Sequence, residues 1–272
     1  MKETIGSAFQ DIDRSSDPSY WIGFLDALSD RDEVRSGRRQ ALEEMNLHDG
    51  DAVLDVGCGA GDMLLELSIA SGSSGRSVGI DMSRAMATEA RRRVREIGLW
   101  AEVSLADASL LPFAEATFNG CYIERVLCHV ASPAAVIAEL VRVVKPGGLV
   151  AAQEPDLTAS IVDLPDSEVV EKMRRWRAER RTRNPRIGGE LPRRLAEAGL
   201  TRISVAAVPV LMRGRPSKHM EDRERVHARQ ACDEGFISED EVRNYLALLD
   251  ETMAAERWFS VILMFLTMGR KP

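Results

Sequence analysis

The 272-residue chain is expected to adopt an α/β fold, with a largely parallel sheet and helices on both faces. Three observations carry this. Short strand-like stretches alternate strictly with longer helical ones from residue 52 to residue 154, the rhythm of βαβ units. Glycines at every second position, Gly57, Gly59 and Gly61, directly follow the first of those strands. The closing stretch WFSVILMFLTMG is mostly apolar, which suits a strand buried on both faces.

The elements follow in order. Residues 1–46 read as helical: Asp17-Pro18 is a cap and first-turn pair ahead of Trp21, Phe24, Leu25 and Leu28, and a second helix covers 31–45. A turn at 48–51 leads to strand AVLDV, helix 62–71, strand 77–80, helix 84–97 and strand 101–105. After the loop LPFAEATF, strand 120–124 leads to helix 133–144, which KPGG ends before strand 149–154. There the rhythm breaks. A long charged helix is expected at 166–183, then the helix in IGGELPRRLAEAGL, a strand at 201–208, a helical stretch over about 217–256 and the strand at 258–268. The domain reading is a helical cap, 1–46, on a domain of 47–272 with helical lid insertions at about 155–187 and 209–256.

Apolar residues make up 44% and charged residues 29%, ordinary for a globular protein. A net charge of −7 argues against non-specific nucleic-acid binding, which needs a basic surface. The start, MKETIGSAFQDIDRSSD, lacks the apolar core of a secretion signal, and the run at 258–268 is about half of what spans a bilayer. A cytoplasmic protein with no membrane span is expected. Cys58, Cys121, Cys128 and Cys232 form no CxxC pair, and Cys121, Cys128 and His129 fit no zinc spacing. Reduced thiols and no metal are expected.

A glycine loop between the first strand and its helix is where an open α/β sheet holds a nucleotide-like ligand. Asp81 ends the second strand 20 residues beyond Gly61, the distance of a ribose-binding carboxylate. The spacing is GxGxG rather than GxGxxG, and Asp55 and Asp62 bracket the loop. Carboxylates beside a pyrophosphate would be costly, which disfavours a nicotinamide dehydrogenase. A ligand that carries positive charge would tolerate them.

These residues resemble the class I S-adenosylmethionine-dependent methyltransferases, of the branch that includes ubiquinone and menaquinone C-methyltransferases. VLDVGCGAGD resembles the first motif of that family, GIDMS the second and LADASLLPF the third; CYIERVLCHV and AELVRVVKPGG resemble the fourth strand, its helix and the turn to strand five. The likeness is clear over about 50–154. It implies a Rossmann-like, seven-stranded, mostly parallel sheet whose antiparallel last strand lies beside the fifth. It also implies S-adenosylmethionine as cofactor. Asp55, Gly57, Cys58, Gly59, Gly61, Asp81, Met82, Asp107, Ala108 and Glu124 would bind it, the glycines against the methionine part, Asp81 on the ribose diol and Asp107 and Ala108 at the adenine.

Methyl transfer is an in-line displacement, so alignment and desolvation can carry most of the catalysis. A base matters only where the acceptor holds its proton tightly. His129, just after the fourth strand, is a candidate base or polar wall, and Glu154, after strand five on the carboxyl edge, a second catalytic candidate. Glu124 and Arg125 are equally readable as an ion pair. Tyr20, Trp21, Arg125, His129 and Trp176 are candidates for the acceptor, with Phe24, Met212 and Phe236 adding apolar wall. His219 and His227 read as lying on a solvated helix face. KMRRWRAERRTR, around Trp176, reads either as a solvated helix or as a surface for an anionic substrate or RNA.

The leading expectation is an enzyme that methylates a small organic acceptor, quinone-like, phenolic or another specialised metabolite. Two others stay open: an RNA or protein methyltransferase, and a protein that uses the cofactor structurally for regulation or a non-methylating reaction. Monomer and homodimer stay open too.

Overall fold

The structure is a computed structural model that describes residues 12–14, 17–165, 167–214 and 218–272. Its strands form one seven-stranded sheet in the order β3-β2-β1-β4-β5-β7-β6. β1 (Ala52–Val56), β2 (Arg76–Asp81), β3 (Ala101–Leu105), β4 (Phe118–Glu124) and β5 (Val144–Asp163) run parallel. β7 (Trp258–Arg270) is inserted antiparallel between β5 and β6 (Thr201–Gly214), as the resemblance implies.

Alternation along the strands assigns side chains to two faces. Leu54, Val56, Cys121, Ile123, Val150 and Ala152 share one core. Against it pack α5 (Pro133–Val143) and α7 (Ile187–Glu197) through Ile137, Leu140, Leu191 and Leu195. Val53, Tyr122, Leu149 and Ala151 face the other way, against α2 (Asp32–Met45) and α3 (Asp62–Ser71). The expected division at residue 46 meets no break in packing. Val34, Ala41 and Met45 of α2 share a core with β1, β4 and β7, whereas α1 (Pro18–Ser29) lies over the carboxyl edge. The Asp17 side chain caps α1 at Tyr20 N, and α4 (Arg84–Ile97) follows β2.

The larger departures from the expected boundaries have tertiary reasons, and β5 also begins at Val144, taking in the KPGG expected as a turn. β5 continues through 155–163 instead of ending at Glu154, because β7 is long enough to pair with it as far as Asp163, across a bulge between Asp156 and Ile161. β6 likewise runs to Gly214 along β7. The charged helix, α6 (Ser167–Arg180), ends short of the expected 183, because the N–H groups of Arg183 and Asn184 turn away to donate to the Cys128 carbonyl; the expected start at 166 lies outside the described residues. The expected single stretch at 217–256 is two helices, α8 (Lys218–Asp233) and α9 (Glu239–Ala254). Gly235 at φ 71° and the reciprocal capping box of Ser238 and Glu241 separate them. Helices α1, α6, α8 and α9 bury Phe24, Trp176, Met220 and Tyr245 together with Met212 and Trp258, on the projecting ends of β6 and β7. These helices are therefore built on strands that extend the sheet beyond its parallel part.

Helix α7 approaches β5 closely enough to require glycine. A Cβ on Gly188 would lie 2.5 Å from the Glu154 carbonyl oxygen and 2.8 Å from the Pro155 carbonyl carbon, both backbone atoms that side-chain rotation cannot move. Gly188→Ala should therefore destabilise the protein by roughly 1–3 kcal/mol through overpacking. The alanine helix propensity, worth at most about 1 kcal/mol, should not rescue it. Urea unfolding of the two proteins measures the difference, and an unchanged midpoint would contradict this packing.

Candidate active site

A cleft with about 280 Å³ of space wide enough for water opens at the carboxyl edge of β1, β2 and β4, roofed by α1 and α8. Its floor is the glycine loop. Gly57, Gly59 and Gly61 have φ of 69°, 53° and 97°, left-handed values that favour glycine, so this backbone demands the residue type before any ligand does. A Cβ on Gly59 would meet only Leu25 Cδ1, at 3.6 Å; the rest of its surroundings is open space. That is a cradle a side chain would fill. Cys58 is buried, its N–H donates to the Ile80 carbonyl, and burial raises its thiol, which keeps it unreactive.

The acids around this loop stand in three different states. Asp55 is buried on the α2 face and its Oδ2 has no hydrogen-bond partner among the described residues. Burial raises its pKa to about 8 against the pull of Arg38, helped by Glu124, Asp81 and Asp62. Asp62 is neutralised by Arg93 at 2.9 Å, which also holds Asp26 of α1 and Glu89 of α4 and so ties the roof to the floor. Asp81 accepts N–H bonds from Gly59 (2.9 Å) and Ser83 (2.8 Å), which fix its carboxylate at the cleft rim. Met82, Asp107 and Ala108 line the same side. The fit to an S-adenosylmethionine-like ligand is chemical: an orphaned carboxylate oxygen for an ammonium, a fixed carboxylate for a diol, and bare backbone between them.

Glu124 ends β4 facing α2. Arg38 Nε and Nη2 grip its two oxygens at 2.9 and 3.1 Å, Tyr122 Oη donates at 2.7 Å, and Gln153 Nε2 at 3.3 Å. Burial would raise this carboxyl, but Arg38 and Arg125 outweigh it and hold the pKa at about 2. Glu124 is thus an ion-pair centre at the cleft wall rather than a free ligand group. Arg38 escaped the sequence reading, although it stands on the stripe Val34, Gly37, Arg38, Ala41 and Met45 that α2 buries. A charged residue on an apolar stripe was the available signal.

Glu154 requires a correction. It does not face the cleft as a catalytic group would. Two residues beyond Ala152 in the strand, it shares that residue's face and points beneath the loop after β4. There it accepts N–H bonds from Val126 (2.8 Å), Leu127 (2.7 Å) and Cys128 (3.2 Å). Burial pushes its pKa up, and these N–H groups limit the rise to about 7. The loop it anchors holds Arg125 at φ 57°, a strained value for a side-chain-bearing residue, and carries His129 on the cleft wall. Burial, with Arg181 and Arg125 nearby, lowers His129 to about 4, so its imidazole is neutral at neutral pH.

Trp176 also lies elsewhere than expected. It is fully buried between α6 and α8, its Nε1 donating to Glu234 at 2.9 Å and its ring 5.5 Å from that of His227. His227 is therefore core, not solvated face, while the side chain of His219 lies outside the described residues. Met212 and Phe236 belong to the same helical core. Trp21 packs on Ile12, Ala60 and Met86, and Tyr20 stands beside Asp222 and Arg223; neither lines the cleft. From α1 it is Phe24, Leu25, Leu28 and Ser29, one to two turns on, that do. Thr182 and Arg223 line it too and were not singled out from sequence.

The family model described as "Methyltransferase domain" matches residues 54–152, the glycine loop through β5. Residues 54–152 are thus similar to a methyltransferase domain. Demethylmenaquinone methyltransferase of Oceanobacillus iheyensis is 36% identical over 121 residues, 44% of this chain and 51% of that protein. An "uncharacterized 37.1 kDa protein in transposon TN4556" of Streptomyces fradiae is 36% identical over 192 residues, 71% of this chain and 55% of its own. The chain thus spans about half the length of these relatives. The crystal structure of YcgJ from Bacillus subtilis superposes with a TM-score of 0.58 at 18% identity, over 87% of this chain and 98% of that one, a likeness of fold.

Two expectations follow for this site. A cation beside Asp55 stabilises its ionised form, so binding must remove the proton that a pKa of about 8 leaves in place near neutrality. The affinity for S-adenosylhomocysteine should rise with pH from 6 to 7.5, up to about tenfold per unit, with protons released. Asp55→Asn should flatten that slope, as calorimetry in two buffers of different ionisation enthalpy would show. Glu154→Gln replaces one acceptor by an NH₂ that faces backbone N–H, and should cost about 1–3 kcal/mol of stability. Its contribution to stability has a sign: because the folded pKa lies above the ordinary 4.5, it is fully present below about pH 4.5 and is lost as pH rises through about 7. Thermal unfolding across that range, wild type against variant, reads both effects.

Proposed function

We propose that the protein transfers a methyl group from S-adenosylmethionine to a small organic acceptor held between the glycine loop and the α1–α8 roof. The observation that carries this is the orphaned Asp55 oxygen beside three left-handed glycines, facing a cleft whose far wall is apolar. The cofactor supplies an electrophilic methyl on a cationic sulfur. The protein's part is to place the acceptor in line and to exclude water, for which Phe24, Leu28, Val210, Ile262 and Met264 provide the wall. The relatives named as demethylmenaquinone methyltransferases favour an acceptor with an aromatic or quinone-like body. A small acceptor is also favoured over RNA because the outward basic residues of α6 are largely paired: Lys172 with Glu241, Arg174 with Glu171, Arg175 with Glu179.

In this reading His129 orients or walls the acceptor instead of taking its proton, since a pKa of about 4 makes it a weak base at neutral pH. His129→Ala should lower kcat, with the pH profile unchanged between pH 6 and 9; an acid limb in the wild-type profile that the variant lacks would restore the base. The reaction itself is tested with methyl-labelled cofactor and a small-molecule extract, read by mass spectrometry for products that gain one CH₂. Firm S-adenosylhomocysteine binding without any labelled product would favour a protein that uses the cofactor for another purpose.

A further inference from the structure

Five guanidiniums cluster after β4 and beneath α8, and three of them, Arg38, Arg125 and Arg223, line the cleft. Glu124 is shared by Arg38 and Arg125, whose Nη2 lies 2.7 Å from Oε1. Glu224 of α8 is shared in the same way: it accepts from Arg177 and from Tyr245 Oη (2.7 Å), and Arg223 Nη2 stands 3.5 Å away. Arg181 has no carboxylate within 4 Å among the described residues; its Nη1 donates to Gln230 Oε1 at 3.2 Å and its guanidinium lies 5.6 Å from the Trp176 ring centre. Among the described residues these five guanidiniums have two carboxylates within 4 Å, Glu124 and Glu224, while Glu234 acts on Arg181 from further away. Burial above all, with Arg223 and Arg177, lowers Arg181 to about 10 against the opposing pull of Glu234.

Several of these groups are unpaired where water does not reach. Nε and Nη1 of Arg125, Nε of Arg181, Nε of Arg223 and the Thr182 hydroxyl are buried without a hydrogen-bond partner among the described residues. Arg125, Thr182 and Arg223 line the cleft. Buried donors and surplus cations cost stability, and so does the left-handed backbone of Arg125. No packing need explains all three together. Segment 181–184 is held against the loop after β4 by Arg183 and Asn184 N–H bonds to Cys128 O, with the Asn184 amide bonded to Leu127 and Val130 carbonyls. Thr182 is therefore fixed beside that loop, and Arg223 is fixed over the Phe24 ring at 5.6 Å.

We propose that Arg125, Thr182 and Arg223 form an anion subsite that takes a carboxylate on the methyl acceptor, with Arg181 behind it. The carboxylate anchors the acceptor and is not the atom methylated. Guanidinium forks suit a carboxylate geometrically, and the ionised Glu124 nearby makes one negative charge easier to admit than two. The apolar wall takes the rest of the molecule, so the ligand is an amphiphilic acid. The inference rests on the methyltransferase reading only for the word acceptor; the subsite itself is a claim about binding.

The test therefore measures binding without turnover, with naphthoate and its uncharged analogue naphthamide as probes. Calorimetry is run on the full chain with and without saturating S-adenosylhomocysteine. Naphthoate should bind at least about tenfold more tightly than naphthamide, the scale of one charge-assisted hydrogen bond. Arg223→Met should abolish that preference, and Thr182→Val should reduce it severalfold, with circular dichroism and the affinity for S-adenosylhomocysteine unchanged. Arg223→Lys should keep part of it. Equal binding of the two probes, no binding of either, or a preference that survives Arg223→Met in the folded protein overturns the subsite. If S-adenosylhomocysteine fails to bind but naphthoate is still preferred, the methyltransferase reading fails and the anion subsite stands.

Discussion

The bidentate pair between Arg38 and Glu124 organises the cleft. Both side chains are nearly withdrawn from water, at 5% and 6% exposure, and such a pair repays its desolvation only when every remaining lone pair and proton is used. Here they largely are: Tyr122 Oη and Gln153 Nε2 complete Glu124, Ser29 Oγ accepts from Arg38, and Arg125 shares the same carboxylate. The pair therefore links α2 to β4, the end of α1 to both, and the first residue of the strained loop to all three. Loss of one partner would leave a buried charge, at a cost of roughly 3–5 kcal/mol. Even the helix surface is shaped around it, since a Cβ on Gly37 would lie 2.1 Å from Gln153 Oε1.

Around that pair the cleft is polarised. Carboxyl groups collect at the glycine loop, where Asp81 and Asp55, the latter ionised only beside a cation, surround bare backbone; guanidiniums collect on the opposite wall, where Arg125 and Arg223 lie near a neutral His129. A ligand pair with a cationic end and an anionic end would lie with each charge against its complement. Arg93 performs a related task outside, by joining α1, α3 and α4 through three carboxylates.

Much of this was legible in the chain, and the failures share a cause. The βαβ rhythm, the glycine loop and the acid after β2 are local patterns, and the sheet order and floor agree with them. Glu154 was assigned from its place at the strand end alone. Counting two residues on from Ala152 would have put it on the α5–α7 side. Trp176 was assigned from chemical type, and only the packing of α6 on α8 and α9 shows it to be core. β5 and β6 run beyond the point where their own sequence weakens, because their length is set by β7, more than 40 residues away in the chain.

The sequence by itself determined the alternation of elements and the loop that needs left-handed backbone, since both depend on neighbours a few residues apart. It also determined the family resemblance over 50–154. Only the tertiary structure decided which charges meet. Arg38 reaches Glu124 across 86 positions, and Arg177 reaches Glu224 across 47. Whether a guanidinium is paired, shared or left over depends on which carboxylates folding brings within about 4 Å, and that is a property of space rather than of sequence order.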